Sequence, residues 1–346
     1  MATKIGINGF GRIGRCIVRA LIERKITDVE IVAINDLTDA RTLAHLLKYD
    51  SVHREFKAGG EITHDEKSIS IGGKRIEVLA LKNPGELPWK ALGVDIVFEC
   101  TGLFTERDKA AAHITAGAKT VLISAPAKGQ DLTVVMGVND HLYDPGKHHV
   151  ISNGSCTTNC LAPMAKVMLD SFGIVRGLMT TVHSYTNDQH LLDVPHRKGD
   201  LRRSRAAAVS MIPSSTGAAK ALSEVIPELK GKFDGTAVRV PTMDCSLVDL
   251  TIETEKPVTK ASIHAAMKAA ADSGAMASVL DYTEEELVSS DYIGNPASCT
   301  FDSTMTLVLG DKFVKIFGWY DNEMGFSHRM VDLAVLIAKK GVQAAS

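Results

Sequence analysis

Short apolar runs alternate with amphipathic stretches through the first 155 residues, and the spacing predicts strands and helices in turn. "KIGIN" reads as a strand, and the helical spacing of Ile13, Ile17, Ala20 and Leu21 reads as the helix after it. "VEIVAIND", "VDIVFECTG" and "KTVLISAP" are further buried strands, with "ERDKAAAHITAGA" a helix between the last two. "SISIGGKRIEVLAL" departs from the pattern and reads as a hairpin about Gly72-Gly73, and "HHVISN" gives the final strand of the series. Such alternation implies a doubly wound α/β sheet, with the hairpin as an antiparallel addition.

After about residue 156 the texture changes. One helix is followed by long β-rich segments, "GTAVRVPTMDCSLVDLTIETEK" and "STMTLVLGDKFVKIFGWYD", and by occasional helices such as "TKASIHAAMKAAADS". This predicts a second, α+β domain with a largely antiparallel sheet. Between the two textures lies "SYTNDQHLLDVPHRKGDLRRSRAAAVS", polar, basic and without a clear period over most of its length, as an exposed functional loop or a disordered segment would be. Its Arg202, Arg203 and Arg205 have substrate phosphate, subunit carboxylates or solvent as alternatives. The last segment, "FSHRMVDLAVLIAKKGV", is helical by the spacing of Met330, Leu333, Ala334 and Ile337. The expected organisation is a first domain over 1–155, a second over 156–321, and a C-terminal helix within 322–346 packing back on the first.

Composition narrows the setting. A chain of 346 residues accommodates about two domains that bury their own cores. The formal net charge of -2 supplies no general attraction to nucleic acid or to an anionic membrane, and neither is expected as a main partner. Six scattered cysteines without a CxxC pair, and no signal peptide at "MATKIGING", favour a reducing cytoplasm. No apolar run approaches the roughly 20 residues that span a bilayer.

The first turn carries the first chemistry. Gly9, Gly11 and Gly14 form GxGxxG between a strand and a helix: a tight turn, a close approach of pyrophosphate to backbone, and close helix–strand packing. Asp36 ends the second strand, where a carboxylate accepts hydrogen bonds from an adenosine ribose and repels a 2′-phosphate. Together they predict a Rossmann-type site that prefers NAD to NADP.

The second chemistry is in "ISNGSCTTNC". Cys156 and Cys160 lack the further ligands of a zinc motif, and a disulfide four residues apart on a helix is geometrically poor. An inert buried thiol and a nucleophile remain. Cys156 lies among Ser155, Thr157, Thr158 and Asn159, and helical periodicity through Cys160, Leu161, Met164 and Val167 begins directly after it. That places it near a helix N-terminus, where partial positive charge favours thiolate, and leaves Cys160 as the inert one. Pro163 predicts a kink or a restart of that helix. His183, at the end of an apolar strand, is the best candidate for a basic neighbour, although a lone histidine is more often structural.

"INGFGRIGR", "IND", "SCTTNCLAP", "TVHSYTNDQ", "DLRRSRAAA", "IPSSTGAAKA", "RVPT" and "WYDNEMGFS" stand in the order and spacing of the glyceraldehyde-3-phosphate dehydrogenases, and the chain resembles that family over essentially its whole length. The resemblance implies a phosphorylating, NAD-dependent enzyme of glycolysis and gluconeogenesis that works through a thioester on Cys156 with His183 as base. It assigns Thr186 and Arg239 to the substrate phosphate, and Ser155, Thr157, Thr216 and Gly217 to the attacking inorganic phosphate, with Arg203 nearby. It assigns Arg12, Ile13, Asp36, Lys82, Ser124 and Asn322 to the cofactor, Asn322 holding the nicotinamide carboxamide. It further implies a cytoplasmic homotetramer whose 185–206 loop crosses an interface, and Pro195 matches the NAD-using members.

The chain departs from the family pattern at three places. Gly154 stands where alanine is usual and is expected to loosen the turn that carries Cys156. Met324 stands for a usual tryptophan, and Lys82 for a frequent arginine. Erythrose-4-phosphate dehydrogenase shares the cysteine and histidine but matches "SYTNDQ" and "SSTGAAK" less well. A binding module with vestigial catalysis is the alternative from another class.

Overall fold

The computed structural model describes residues 2–197 and 199–344. It divides into two compact units. One takes the chain up to Val134, Asp140–Gly154 and the segment from Ser327 onward; the other takes Val135–Asn139 and Ser155–Phe326.

In the first unit the strands β1 (Thr3–Asn8), β2 (Val29–Asn35), β3 (Ile62–His64), β4 (Ser68–Ile71), β5 (Lys74–Leu79), β6 (Ile96–Glu99), β7 (Thr120–Ile123), β8 (Leu132–Thr133) and β9 (Val150–Ser152) form one sheet, in the order β3-β4-β5-β2-β1-β6-β7-β9-β8. Pairing is parallel from β5 through β8, and antiparallel only in the β3-β4-β5 addition that contains the expected hairpin. β1 sits centrally, and its Ile5, Gly6, Ile7 and Asn8 are buried in succession, so both of its faces are covered. Helix α1 (Arg12–Glu23) buries Ile17, Val18 and Leu21, and α2 (Ala40–Lys48) starts at Asp39, whose side chain accepts from Thr42 N. A short α3 (Trp89–Leu92) precedes β6. The single helix expected over "ERDKAAAHITAGA" divides into α4 (Arg107–Ala110) and α5 (Ala112–Thr115), where the bonding tightens to Ile114 N donating to Ala111 O.

The second unit packs helices on one face of a sheet ordered β11-β12-β10-β13-β16-β15-β14, from β10 (Ile174–Ser184), β11 (Ile212–Ser215), β12 (Phe233–Val240), β13 (Ser246–Thr254), β14 (Leu280–Thr283), β15 (Cys299–Leu309) and β16 (Phe313–Tyr320). The sheet is largely antiparallel, with parallel pairing at β10–β12 and β14–β15. Helices α6 (Cys156–Phe172), α7 (Ala218–Val225) and α8 (Lys260–Asp272) bury Leu161, Met164, Leu222, Ile263 and Met267 against Val248, Leu250, Ile252 and Ile316. Pro163 lies inside α6, which runs continuously rather than restarting. Strand alternation turns Met179, Thr181 and His183 inward while Leu178 faces out.

The 185–206 loop contains no helix or strand among its described residues, and Lys198 lies outside them. It is nevertheless tied to itself: Arg203 reaches Asp188 at 2.8 Å, Arg205 reaches Asp193 at 3.0 Å, and Ser204 O accepts from Val194 N. Of the three partners open to these arginines, Arg203 and Arg205 take carboxylates of their own loop. The C-terminal helix α9 (Met324–Lys340) buries Met330, Leu333, Ala334 and Ile337, and Asp332 pairs with Arg24 of α1 at 2.6 Å. Residues 345 and 346 of the expected 322–346 segment lie outside the described ones.

Candidate active site

At the carboxyl edge of the first sheet the glycine turn takes the shape its spacing requires. Gly9 has φ +93°, and a Cβ there would stand 2.8 Å from Thr101 N; a Cβ on Gly14 would stand 2.5 Å from Gly9 O. At Gly11 a Cβ would meet nothing within 4 Å, so the backbone before α1 opens on free space. Gly11 is also the N-cap of α1 and supplies no side-chain cap, so the positive end of the helix faces the turn with backbone alone. Asp36 accepts from Phe10 N at 2.8 Å and from Thr38 N at 3.0 Å, fixing the strand-end carboxylate beside the turn. Open backbone, a helix N-terminus without a side-chain cap and a held carboxylate fit a dinucleotide.

The other cofactor-edge residues differ in environment. Arg12 and Ile13 begin α1, and Arg12 is engaged by Asp50. Burial pushes the Asp50 carboxyl up, but the His53 N–H and the Arg12 guanidinium outweigh it and bring the group down to about 2. Lys82 is exposed just beyond β5, and Ser124 donates its N–H to Glu99 O at 3.0 Å.

In the second unit Cys156 is the first residue of α6, with Ser155 as N-cap accepting from Thr158 N at 3.0 Å. The position matches the sequence reading. Its sulfur lies 3.5 Å from His183 Nε2. The other ring nitrogen, Nδ1, is 2.7 Å from Ser184 O, and since a carbonyl only accepts, the ring proton of neutral His183 sits on Nδ1. Nε2 is then an acceptor facing the thiol. Thiolate does not follow from the helix terminus alone, however. Burial pushes the Cys156 thiol up to about 11, with Arg239 and the Thr157 hydrogen bonds pulling the other way, and burial with the Arg239 charge pushes His183 down to about 4. Burial is the first cause of both shifts, raising the thiol and lowering the imidazole. Cys160, one turn on, is fully buried with its thiol 3.5 Å from Gly318 O.

Arg239 follows from register: β12 pairs with β10 so that His183 and Arg239 are cross-strand partners on one face. Its Nη1 donates to Thr186 Oγ1 at 2.5 Å, and Thr186 in turn donates to Asp188. Arg203 joins the same carboxylate and also reaches Ser214 Oγ at 3.4 Å. Burial raises Asp188, but Thr186 and the two guanidinium groups bring it below the ordinary range. Thr186, Arg203 and Arg239 therefore form one cradle of donors around a single anionic group.

The remaining predicted residues take distinct places. Thr216 and the N-cap Gly217 lead into α7, a helix packed on α6, with Thr216 Oγ1 accepting from Ala218 N. Thr157 turns inward, its hydroxyl 2.8 Å from Tyr320 OH. Tyr320, which the sequence does not single out, also reaches Thr181 Oγ1 at 2.8 Å and stands edge-on to the His183 ring. Asn322 accepts at Oδ1 from Ser184 Oγ at 2.7 Å and Ser246 Oγ at 2.8 Å, which fixes its side-chain amide. Ser184 and Ser246 also went unnoticed, because only strand pairing brings them to Asn322, and Asp188 because its partners depend on how the 185–206 loop folds back.

A dinucleotide edge in one unit and a thiol facing an imidazole acceptor in the other are features of the class of NAD-dependent dehydrogenases. Residues 3–107 match the NAD binding domain of glyceraldehyde 3-phosphate dehydrogenase, and residues 155–322 match its C-terminal domain. The chain is 59% identical to glyceraldehyde-3-phosphate dehydrogenase of Geobacillus stearothermophilus over 342 residues, covering 99% of this chain and 100% of that one. It is 58% identical to the Streptomyces coelicolor enzyme of that name over 340 residues, covering 98% and 100%. The chain belongs to the glyceraldehyde-3-phosphate dehydrogenase family.

Proposed function

We propose that this chain oxidises and phosphorylates D-glyceraldehyde 3-phosphate to 1,3-bisphosphoglycerate in the cytoplasm, as a step of glycolysis and gluconeogenesis, with Cys156 as nucleophile and His183 as its base. The observation that carries this reading is the 3.5 Å approach of the Cys156 sulfur to an unprotonated His183 Nε2.

As the sulfur attacks the aldehyde carbon, Nε2 takes the thiol proton and returns it to the new alkoxide, giving a hemithioacetal on Cys156. NAD supplies the hydride acceptor when bound. Nε2 then receives the hydroxyl proton as the carbon is oxidised to a thioester. The imidazolium and the Cys156 N–H polarise the thioester carbonyl, and inorganic phosphate adds to it. Collapse expels the sulfur, which recovers its proton from His183. The donors of Thr186 and Arg239 suit the substrate's phosphate, with Arg203 alongside. Ser155, Thr216, Gly217 and the Thr157 backbone suit the attacking one.

Self-association into a homotetramer is part of the reading. Leu178 is 67% exposed and Leu309 73% exposed on the sheet face without helices, and Leu191 and Leu201 are above 80% on the 185–206 loop. Exposed leucines on that face and on the loop suit burial against further copies of the chain. Light scattering coupled to size exclusion reads the stoichiometry.

The test of function is NADH formation from glyceraldehyde 3-phosphate and NAD, with and without phosphate, on wild type and Cys156→Ser. Phosphate-dependent turnover lost in the variant is expected. Turnover indifferent to phosphate would point to an erythrose-4-phosphate dehydrogenase type of reaction, and none in a wild type that binds NAD to a binding module.

A further inference from the structure

We infer that Glu99 is a positioning residue for NAD, holding the cofactor edge of the first sheet through a buried row of polar side chains. β2, β1 and β6 are neighbours, and they end in register at Asn35, Asn8 and Glu99. These three side chains are joined across the strands: Asn35 Nδ2 donates to Asn8 Oδ1 at 2.7 Å, and Asn8 Nδ2 donates to Glu99 Oε2 at 2.6 Å. All three are at most 4% exposed, so the row is shielded from water.

The tautomer of His113 closes one end. The Trp89 indole can only donate, and it gives its proton to His113 Nδ1 at 2.9 Å, so the ring proton lies on Nε2 and is donated to Glu99 Oε2 at 3.1 Å. The other carboxyl oxygen, Oε1, accepts from Thr101 N at 2.8 Å and from Thr101 Oγ1. Four donors thus fill the four acceptor positions of one carboxylate.

Each link ends on a loop of the cofactor edge. Thr101 N, held by Glu99, is the atom against which Gly9 packs without a Cβ. Asn35 bonds both the N–H and the C=O of Leu81, the residue before Lys82, and it directly precedes Asp36. Glu99 therefore fixes Gly9, Asp36 and the 81–82 turn relative to one another, without a cofactor contact of its own being required.

The inference rests on NAD occupying this edge, and ADP-ribose tests it on the first unit without involving the chemistry at Cys156. Glu99→Gln turns one acceptor into a donor facing donors, and Thr101→Val removes one link while keeping the side-chain shape. Calorimetric titration is expected to show ADP-ribose binding weakened about tenfold in Glu99→Gln and severalfold in Thr101→Val. KM for NAD should rise in parallel while kcat at saturating NAD falls by less than that factor. Lowered melting temperature with wild-type ADP-ribose affinity would make the row structural and overturn the inference. If Glu99→Gln does not fold, unchanged affinity in Thr101→Val overturns it alone. A wild type that binds no ADP-ribose overturns both this inference and the cofactor reading.

Discussion

His183 presents Nε2 to the Cys156 sulfur at 3.5 Å because its Nδ1 is tied to the Ser184 carbonyl at 2.7 Å. The backbone thereby selects the tautomer that accepts a proton from the thiol. Replacing His183 with Asn keeps a polar side chain but supplies no base of that kind. The expected loss in kcat is about 100- to 10,000-fold, read by NADH formation, with slower alkylation of Cys156 by iodoacetamide.

Arg239 carries the positive charge that pulls the Cys156 thiol down against burial, and it also holds Thr186 at 2.5 Å. Arg239→Ala is expected to raise KM for glyceraldehyde 3-phosphate about 10- to 100-fold, as loss of a charge-assisted hydrogen bond does. The same variant should move the alkylation profile of Cys156 to higher pH.

Two buried histidines set an acid limit on stability. His183 and His328 are each pushed down to about 4 from the 6.5 of a free histidine, burial being the first cause in both. In the unfolded chain they take up protons that the folded chain refuses. Their contribution is fully present above pH 6.5 and is lost as pH falls toward 4, at up to about 1.4 kcal/mol per pH unit for each. Urea midpoints measured between pH 7.5 and about 4.5 should decline in that window, and His328→Gln should flatten the decline.

Gly154 has φ +65°, and its N–H donates to Ser152 Oγ at 3.0 Å just before Ser155 caps α6. The glycine seats the turn in the left-handed region without side-chain strain rather than loosening it. Gly154→Ala is expected to destabilise the protein by about 1 kcal/mol, measured by chemical denaturation.

Strand–helix alternation, the glycine turn and the strand-end Asp36 were legible in the sequence because each is local: periodicity and backbone geometry need only neighbours along the chain. The start of α6 at Cys156 was legible for the same reason. Tyr320 was not, since it meets Thr157 and Thr181 across 163 and 139 positions, and only strand pairing creates that meeting. Nor was the polar row, although the endings "GIN" and "AIN" place asparagine on adjacent strands where an apolar residue would be ordinary. What opposes a thiolate at Cys156 was not legible either: a helix dipole can be read from sequence, whereas the exclusion of water from around a sulfur depends on the whole packed unit.

The Trp89 indole proton that fixes His113 makes the hydrogen-bonded row visible to light. The chain has two tryptophans, and the fold assigns one to each unit: Trp89 at the end of the row, and Trp319 stacked on Tyr292 at 5.3 Å with its N–H on Asp302. Emission resolved into two components becomes a pair of internal gauges, one for the dinucleotide edge and one for the sheet that carries the chemistry, each readable without attaching a label.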